Sequence, residues 1–364
     1  MDSLLTKAFF AALFISGIPL FSSGLPQPSD MMMAVIGLHF FINSDKEFIY
    51  NNYLLITFVL YTLVINMVYT IILSDPSFLP SLFYYPFCLL IFVLGKNLEF
   101  NAKSLTYMRA CYITLGFLLL VVNILFPTLS SRQTVLFNNP NQLGYWALSM
   151  IIIYFYLFKK IDAGNFNSAE IIIFLLFTYF VVASLSKAAI AALFLFFILF
   201  ALQNFKLKNF LSLLTLLLFA FYAFSKTELY VYFIKRMENF AQENDSSLQS
   251  RGYYRIFDFP QYLYFGSGQG SYGRFFKLSE HIIEIHSSIG TIVFSYGLIG
   301  LALFCLMIIS MTTWKNFLIY LLPLFLYGLT HNGLKETNFW LLLGLFSNVK
   351  LKKHSFNTYI NMVK

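Results

Sequence analysis

Charge is scarce in this sequence. Asp, Glu, Lys and Arg make up only 11% of its 364 residues, against roughly a quarter in an ordinary soluble domain. Such a chain cannot cover its surface with polar groups in water. Disorder is excluded too, since it needs high charge and few aromatics. There are three cysteines, Cys88, Cys111 and Cys305, all in apolar runs. They form no CxxC and no metal-ligand spacing, and read as small lipid-facing or packing residues. No GxxxxGK[ST], GxGxxG or HExxH occurs, and no acidic cluster resembles a metal cage. The sequence therefore points to no metal, no cofactor and no cytosolic nucleotide site.

Apolar residues supply what is there. Hydrophobic side chains reach 59% and aromatics 20%, and the mean hydropathy is +0.73. The apolar runs are continuous and do not alternate with polar residues, which excludes a transmembrane β-barrel. The expected fold class is an all-α polytopic membrane protein, because a crossing helix needs about 20 mostly apolar residues. Twelve spans are expected near 6–22, 29–43, 53–74, 78–95, 109–126, 142–158, 169–185, 187–204, 208–225, 286–310, 314–330 and 336–349. The first resembles a secretory signal but lacks its cleavage site, and is expected to be retained. The seventh and eighth meet at Ser184-Leu185-Ser186-Lys187 and require a tight hairpin.

The net charge of +8 would suggest nucleic acid in a soluble protein. Here it orients the chain. With a cytoplasmic N-terminus, the inner connections carry Lys7, Lys46, Lys96, Lys103, Arg109, Lys159, Lys160, Lys206, Lys208, Lys315, Lys350, Lys352, Lys353 and Lys364. The short outer connections carry only Arg132, Lys187 and Lys335. The remaining basic residues lie in one long outer loop, 226–285, and long loops translocate regardless of charge. Both termini are therefore expected inside, with a single integral membrane domain over 1–364. The spans are almost free of ionisable residues, which argues against a transporter.

Chemistry-bearing residues cluster on the outer side. Arg251 and Arg255 are spaced i, i+4, so one helix would present both guanidinium groups on one face. Gly266, Gly268 and Gly270 form a glycine-rich turn, followed by Arg274. Backbone amides at such glycines, together with arginines, suit a phosphate or pyrophosphate; the alternative is a loop stitched down by surface ion pairs. His286 stands where the chain re-enters the membrane and suits a general base; Glu284, two residues earlier, is the reserve. An interfacial hydrogen-bonding histidine is the bland alternative. Lys187 either snorkels to the interface or pairs with an anion. Tyr253, Tyr254, Tyr262, Tyr264 and Tyr272 are candidates for stacking on sugar rings. His281 reads as loop surface. Arg132 and the segment Thr330-His331-Asn332-Gly333-Leu334-Lys335-Glu336 bring further polar groups to this side.

These residues carry a resemblance. Arg132-x3-Leu136 resembles the R-x3-L element of the O-antigen ligases. His286-Ser287 followed after nine residues by Gly297-x2-Gly300 resembles their H-[NSQ]-x9-G-x2-[GTY] element. Arg255-x10-Gly266 fits the R-x10-G pattern of O-antigen polymerases. The order and sidedness of these motifs, the twelve expected spans and the long loop between the ninth and tenth are similar to that family. The resemblance implies a GT-C-like integral glycosyltransferase of the bacterial inner membrane, acting at the periplasmic face. Its donor would be a glycan linked to undecaprenyl pyrophosphate, and transfer would be inverting and metal-independent. Arg132, Arg251 and Arg255 would stabilise the leaving pyrophosphate, with Lys187 and Arg274 as weaker candidates. His286 would activate the acceptor. Partnership with a flippase and a chain-length regulator is implied as well, and no nucleic acid. The run from Arg255 to Ser288 favours polymerase over ligase. A lipid-linked oligosaccharide flippase and a non-enzymatic scaffold are the readings from other classes.

Overall fold

The computed structural model describes residues 2–21, 26–44, 46–126, 132–161, 167–203, 225–226, 230–232, 234–235, 238, 251–275 and 285–348. Among them no strand forms, in agreement with the expected all-helical class. The helices are α1 (Asp2–Ile15), α2 (Pro28–Ile42), α3 (Lys46–Asn51), α4 (Tyr53–Leu73), α5 (Leu79–Asn97), α6 (Ala102–Leu125), α7 (Pro140–Ile161), α8 (Ser168–Ala183) and α9 (Lys187–Gln203). They continue with α10 (Tyr254–Asp258), α11 (Ser288–Met311), α12 (Trp314–Asn316), α13 (Leu322–Gly328) and α14 (Thr337–Phe346). A π-helical turn, Phe317–Leu321, joins α12 to α13. The expected span 208–225 lies outside the described residues except for Ser225.

Four helical stretches are long and apolar enough to cross a membrane: Tyr53–Leu73, Pro76–Asn97, Lys103–Leu125 and Ser288–Met311. Helices α1, α2, α8, α9 and α14 are apolar but shorter. Their lengths are set by turn chemistry. The α8–α9 hairpin, for example, turns within three residues: Leu185 takes a positive φ of 47°, and the Ser184 hydroxyl accepts a hydrogen bond from the Ser186 amide at 3.2 Å. Large apolar side chains face outward along α4 (Leu60, Val64, Met67, Ile71), α6 (Val121, Ile124) and α11 (Leu306, Ile309). An exposed apolar surface of this kind marks an interface with lipid or protein, and membrane association is the consistent reading.

Helix α7 is the centre of the bundle. Every residue from Leu143 to Phe158 is buried, as expected of a helix that is apolar all round. Helices α8 and α9 pack against it, α5 is clasped between α2 and α14, and α11 lies along α4. Helices α5 and α14 approach backbone to backbone: a side chain at Gly344 would meet the Phe92 carbonyl at 2.2 Å.

Helix α11 is interrupted at Gly297, whose φ of 67° and ψ of −173° lie outside the helical region. The loop 263–268 fills the break. Leu263 and Tyr264 carbonyls accept from the Leu298 and Ile299 amides at 2.8 and 3.3 Å, while the Ser267 and Gly268 amides donate to the Phe294 and Ser295 carbonyls at 2.9 Å each. The orphan groups of the broken helix are thus paired, which an apolar surrounding demands. A buried network locks the loop from the side. Asn66 of α4 accepts from the Gln269 amide at 2.8 Å and donates to the Tyr296 hydroxyl at 3.1 Å, which donates to Gln269 Oε1 at 2.9 Å.

Candidate functional site

The connections at one end of the bundle interlock. Arg132 Nε donates to the Ser184 carbonyl at 3.1 Å, and Nη2 donates to Asn141 Oδ1, at the start of α7, at 2.6 Å. Arg132 is therefore held between the α8–α9 hairpin and α7. Lys187 opens α9 three residues after Ser184. Tyr327, near the end of α13, donates to the Asn141 carbonyl at 2.9 Å. The same short segment of α7 thus anchors both Arg132 and Tyr327.

From the opposite side, Arg251 donates to the Thr330 carbonyl, and its own carbonyl accepts from the His286 amide at 3.0 Å. Ser287 N-caps α11, accepting from the Gly290 amide at 3.1 Å, as Ncap serines do. Ser288 fastens the next connection: its amide and hydroxyl both donate to the His331 carbonyl, at 3.1 Å and 3.0 Å. His286, exposed, is thereby set between Arg251 and the 329–336 connection. Tyr253 donates to Ser287 Oγ at 2.6 Å, so this tyrosine is part of the fastening.

His331 belongs to no sequence motif, yet it lies inside the cluster. Its ring stacks on Tyr327 with centroids 4.7 Å apart, and Nδ1 lies 2.9 Å from the Thr330 hydroxyl. Burial, followed by the charges of Arg251, His286 and Arg132, pulls its pKa down from 6.5 to about 3. His331 is therefore neutral at physiological pH, and Arg132, Arg251 and His286 are all within electrostatic reach of it. Tyr327 senses Arg132, Arg251 and Glu336 together. No motif spacing announces this grouping; the sequence signal is the run of polar residues at a span's end.

Other expected residues are placed differently. Arg251 and Arg255 do not share a helix face. Gly252 takes a positive φ of 76° between them, and α10 begins only at Tyr254, so Arg251 stands outside that helix. Arg255 is buried, and its guanidinium lies within 4 Å of where a side chain at Gly252 would sit. Arg274 sits apart, with its guanidinium 4.5 Å from the Phe275 ring centre, 4.9 Å from Tyr69 and 5.1 Å from Phe78, and it donates to the Ser267 carbonyl. That is a packing role. The Gly266 amide donates to the Tyr262 carbonyl at 2.8 Å, and with those of Ser267, Gly268 and Gln269 it is spent inside the protein, so this turn does not offer a row of amides to an anion. A side chain at Gly266 would strike the Ser295 carbonyl at 2.2 Å, and Gly268 and Gly270 lie against Tyr69 and Phe78. The glycines serve close approach to α11, to Tyr69 of α4 and to the Pro76–Phe78 turn. Tyr262 packs on Phe275 and Phe294, whereas Tyr264 is exposed. Glu284 and His281 lie outside the described residues.

Among the described residues no group of three His, Cys, Asp or Glu side chains is placed to hold a metal ion. Against known proteins, the chain matches no family model and no curated relative.

Proposed function

We propose that this protein is an integral-membrane glycan polymerase of the O-antigen polymerase and ligase type. On this reading it joins repeat units carried on undecaprenyl pyrophosphate at the periplasmic face of a bacterial inner membrane it crosses about twelve times, with both termini in the cytoplasm. The observation that carries the proposal is the gathering of Arg132, Arg251 and His286 around the Tyr327–His331 stack at the end of an apolar helical bundle. Two guanidinium groups held by backbone carbonyls suit a pyrophosphate, for which Arg offers a planar fork of donors.

The chemistry follows from the groups present. An acceptor hydroxyl attacks the anomeric carbon of the donor sugar from the face opposite the pyrophosphate, so the configuration inverts. The glycosyl C–O bond breaks and its electron pair leaves with the lipid pyrophosphate. Arg132 and Arg251 stabilise the charge that develops there. Removing one such preorganised donor typically costs about 10²–10³ in rate. His286, exposed at the N-terminus of α11, takes the hydroxyl proton. Arg255, from its buried position, supports the loop that carries Arg251. The alternative acceptor, a lipid A–core sugar, would make the protein a ligase with the same machinery.

The test is reconstitution of the purified protein in liposomes with lipid-linked repeat units alone. A ladder of longer lipid-linked glycans, lost in His286→Ala and Arg132→Ala, supports the polymerase. One transfer that requires added lipid A–core supports the ligase. Passage of the lipid-linked glycan across the bilayer without either product overturns the enzyme reading in favour of a flippase.

A further inference from the structure

The loop that fills the break in α11 reaches far along two apolar helices. Ser271, on its return, donates its amide to the Ser77 hydroxyl at 2.7 Å, just beyond the end of α4. The tip of the loop sits much deeper. The Tyr61 hydroxyl shares its proton between the Phe265 and Tyr296 carbonyls, at 3.0 and 3.1 Å, and Tyr61 stands twelve residues before Leu73, the last residue of α4. On α11 the tip meets the amides of Leu298 and Ile299, the eleventh and twelfth of its 24 residues. At about 1.5 Å per residue, both helices place the tip roughly 15–18 Å from their ends. That is about half the depth of a hydrocarbon core roughly 30 Å thick.

Backbone and composition both fit that depth. Every carbonyl from 262 to 268 accepts a hydrogen bond from the protein. Backbone amides serve the first three. The Tyr61 and Tyr69 hydroxyls serve Phe265 and Gly266, each at 3.0 Å. Arg274 and the Ser267 hydroxyl serve the last two. A loop in water leaves such groups to solvent, whereas irregular backbone within a bilayer has to pair them internally. The run 259–273 also holds no charged residue, although Arg251, Arg255, Asp258 and Arg274 flank it. Yet the side chains of the tip are bare. Tyr264 and Phe265 are each 64% exposed, beside the outward-facing Leu298 and Ile299.

We propose that residues 263–268 form a re-entrant tip, entering and leaving the bilayer by the same face, and that Tyr264 and Phe265 contact the acyl chains of the lipid. An exposed apolar surface marks an interface, and here the depth names the occupant. The two rings continue the outward-facing apolar surface of α11 at Leu298 and Ile299, and they lie level with Leu60 and Val64 on α4. The inference goes beyond glycan transfer and does not depend on it. It requires only that α4 and α11 cross the membrane, for which both are long and apolar enough. The segment that begins at Arg251 is then held to the bilayer by its own tip, as well as by its hydrogen bonds to α11.

The test is a spin-label depth measurement by EPR on the full chain in liposomes, with Cys88→Ala, Cys111→Ala and Cys305→Ala as background. A nitroxide at Phe265→Cys should collide with dissolved oxygen and be shielded from a water-soluble nickel chelate. It should match a nitroxide at Leu306→Cys, on the outward face of α11. A nitroxide at Gly273→Cys, where open space surrounds the backbone, should show the reverse preference. Nickel collisions at Phe265→Cys as frequent as at Gly273→Cys place the tip in water, and shielding from both reagents places it against protein; either result overturns the proposal. If the cysteine-free background does not fold, Phe265→Trp with the cysteines intact decides the matter. Its added fluorescence over wild type should be quenched by lipids brominated along the acyl chain and not by aqueous iodide, and the opposite pattern overturns the proposal. Neither readout involves glycan transfer, so failure here leaves the polymerase reading to its own test.

Discussion

His331 stacks face to face on Tyr327, with ring centroids 4.7 Å apart and planes 22° from parallel. The stack joins the end of α13 to the connection that carries Glu336, and it places a neutral imidazole among cations. This arrangement sets how this end of the bundle responds to acid.

The folded protein refuses a proton at His331 until about pH 3, whereas an unfolded histidine takes one near 6.5. A depressed folded pKa contributes stability above pH 6.5, which is lost as pH falls toward 3. His331→Phe keeps a ring against Tyr327 and cannot titrate. Thermal unfolding in nanodiscs should show the wild type losing stability relative to this variant between pH 6.5 and 4. Parallel curves would show that His331 does not carry this linkage.

Gly297 and the loop 263–268 form one joint. At φ 67° a non-glycine residue costs roughly 1–2 kcal/mol in backbone energy alone, and a Cβ there would lie 2.1 Å from the Tyr264 carbonyl. Gly297→Ala should sharply lower the unfolding temperature and the yield of folded protein. Gly273→Ala, where nothing lies within 4 Å of the added carbon, should change neither.

Arg132 and Arg274 should separate cleanly. Arg132→Lys removes the fork while keeping the charge, and should reduce glycan transfer by about 10²–10³ with little change in unfolding temperature. Arg274→Met removes a cation from a cage of rings, where such contacts are worth about 0.5–2 kcal/mol each. Its activity should fall only in proportion to lost stability. Activity loss in Arg274→Met without destabilisation would return that arginine to the site.

Much of this was legible in the sequence. Composition determined an all-helical, lipid-compatible chain, because so few charged residues cannot clothe a protein in water. Apolar runs and turn residues located most helices to within a few positions, including the tight hairpin at Ser184–Lys187, since a helix end must satisfy its own backbone groups locally. Arg132 and Arg251 were visible as cationic exceptions in an apolar chain, as was His286.

Only the tertiary structure decided which of those residues meet. Gly252 separates Arg255 from Arg251 although their spacing suits one helix face, because a single positive φ outweighs a periodicity of two residues. The glycines at 266, 268 and 270 serve the break in α11 rather than an anion, because amides near a broken helix are claimed first by its orphan carbonyls. His331 belongs to no local pattern: burial above all, then the charges of Arg251, His286 and Arg132, lowers its proton affinity, and only packing buries the ring and brings those groups around it.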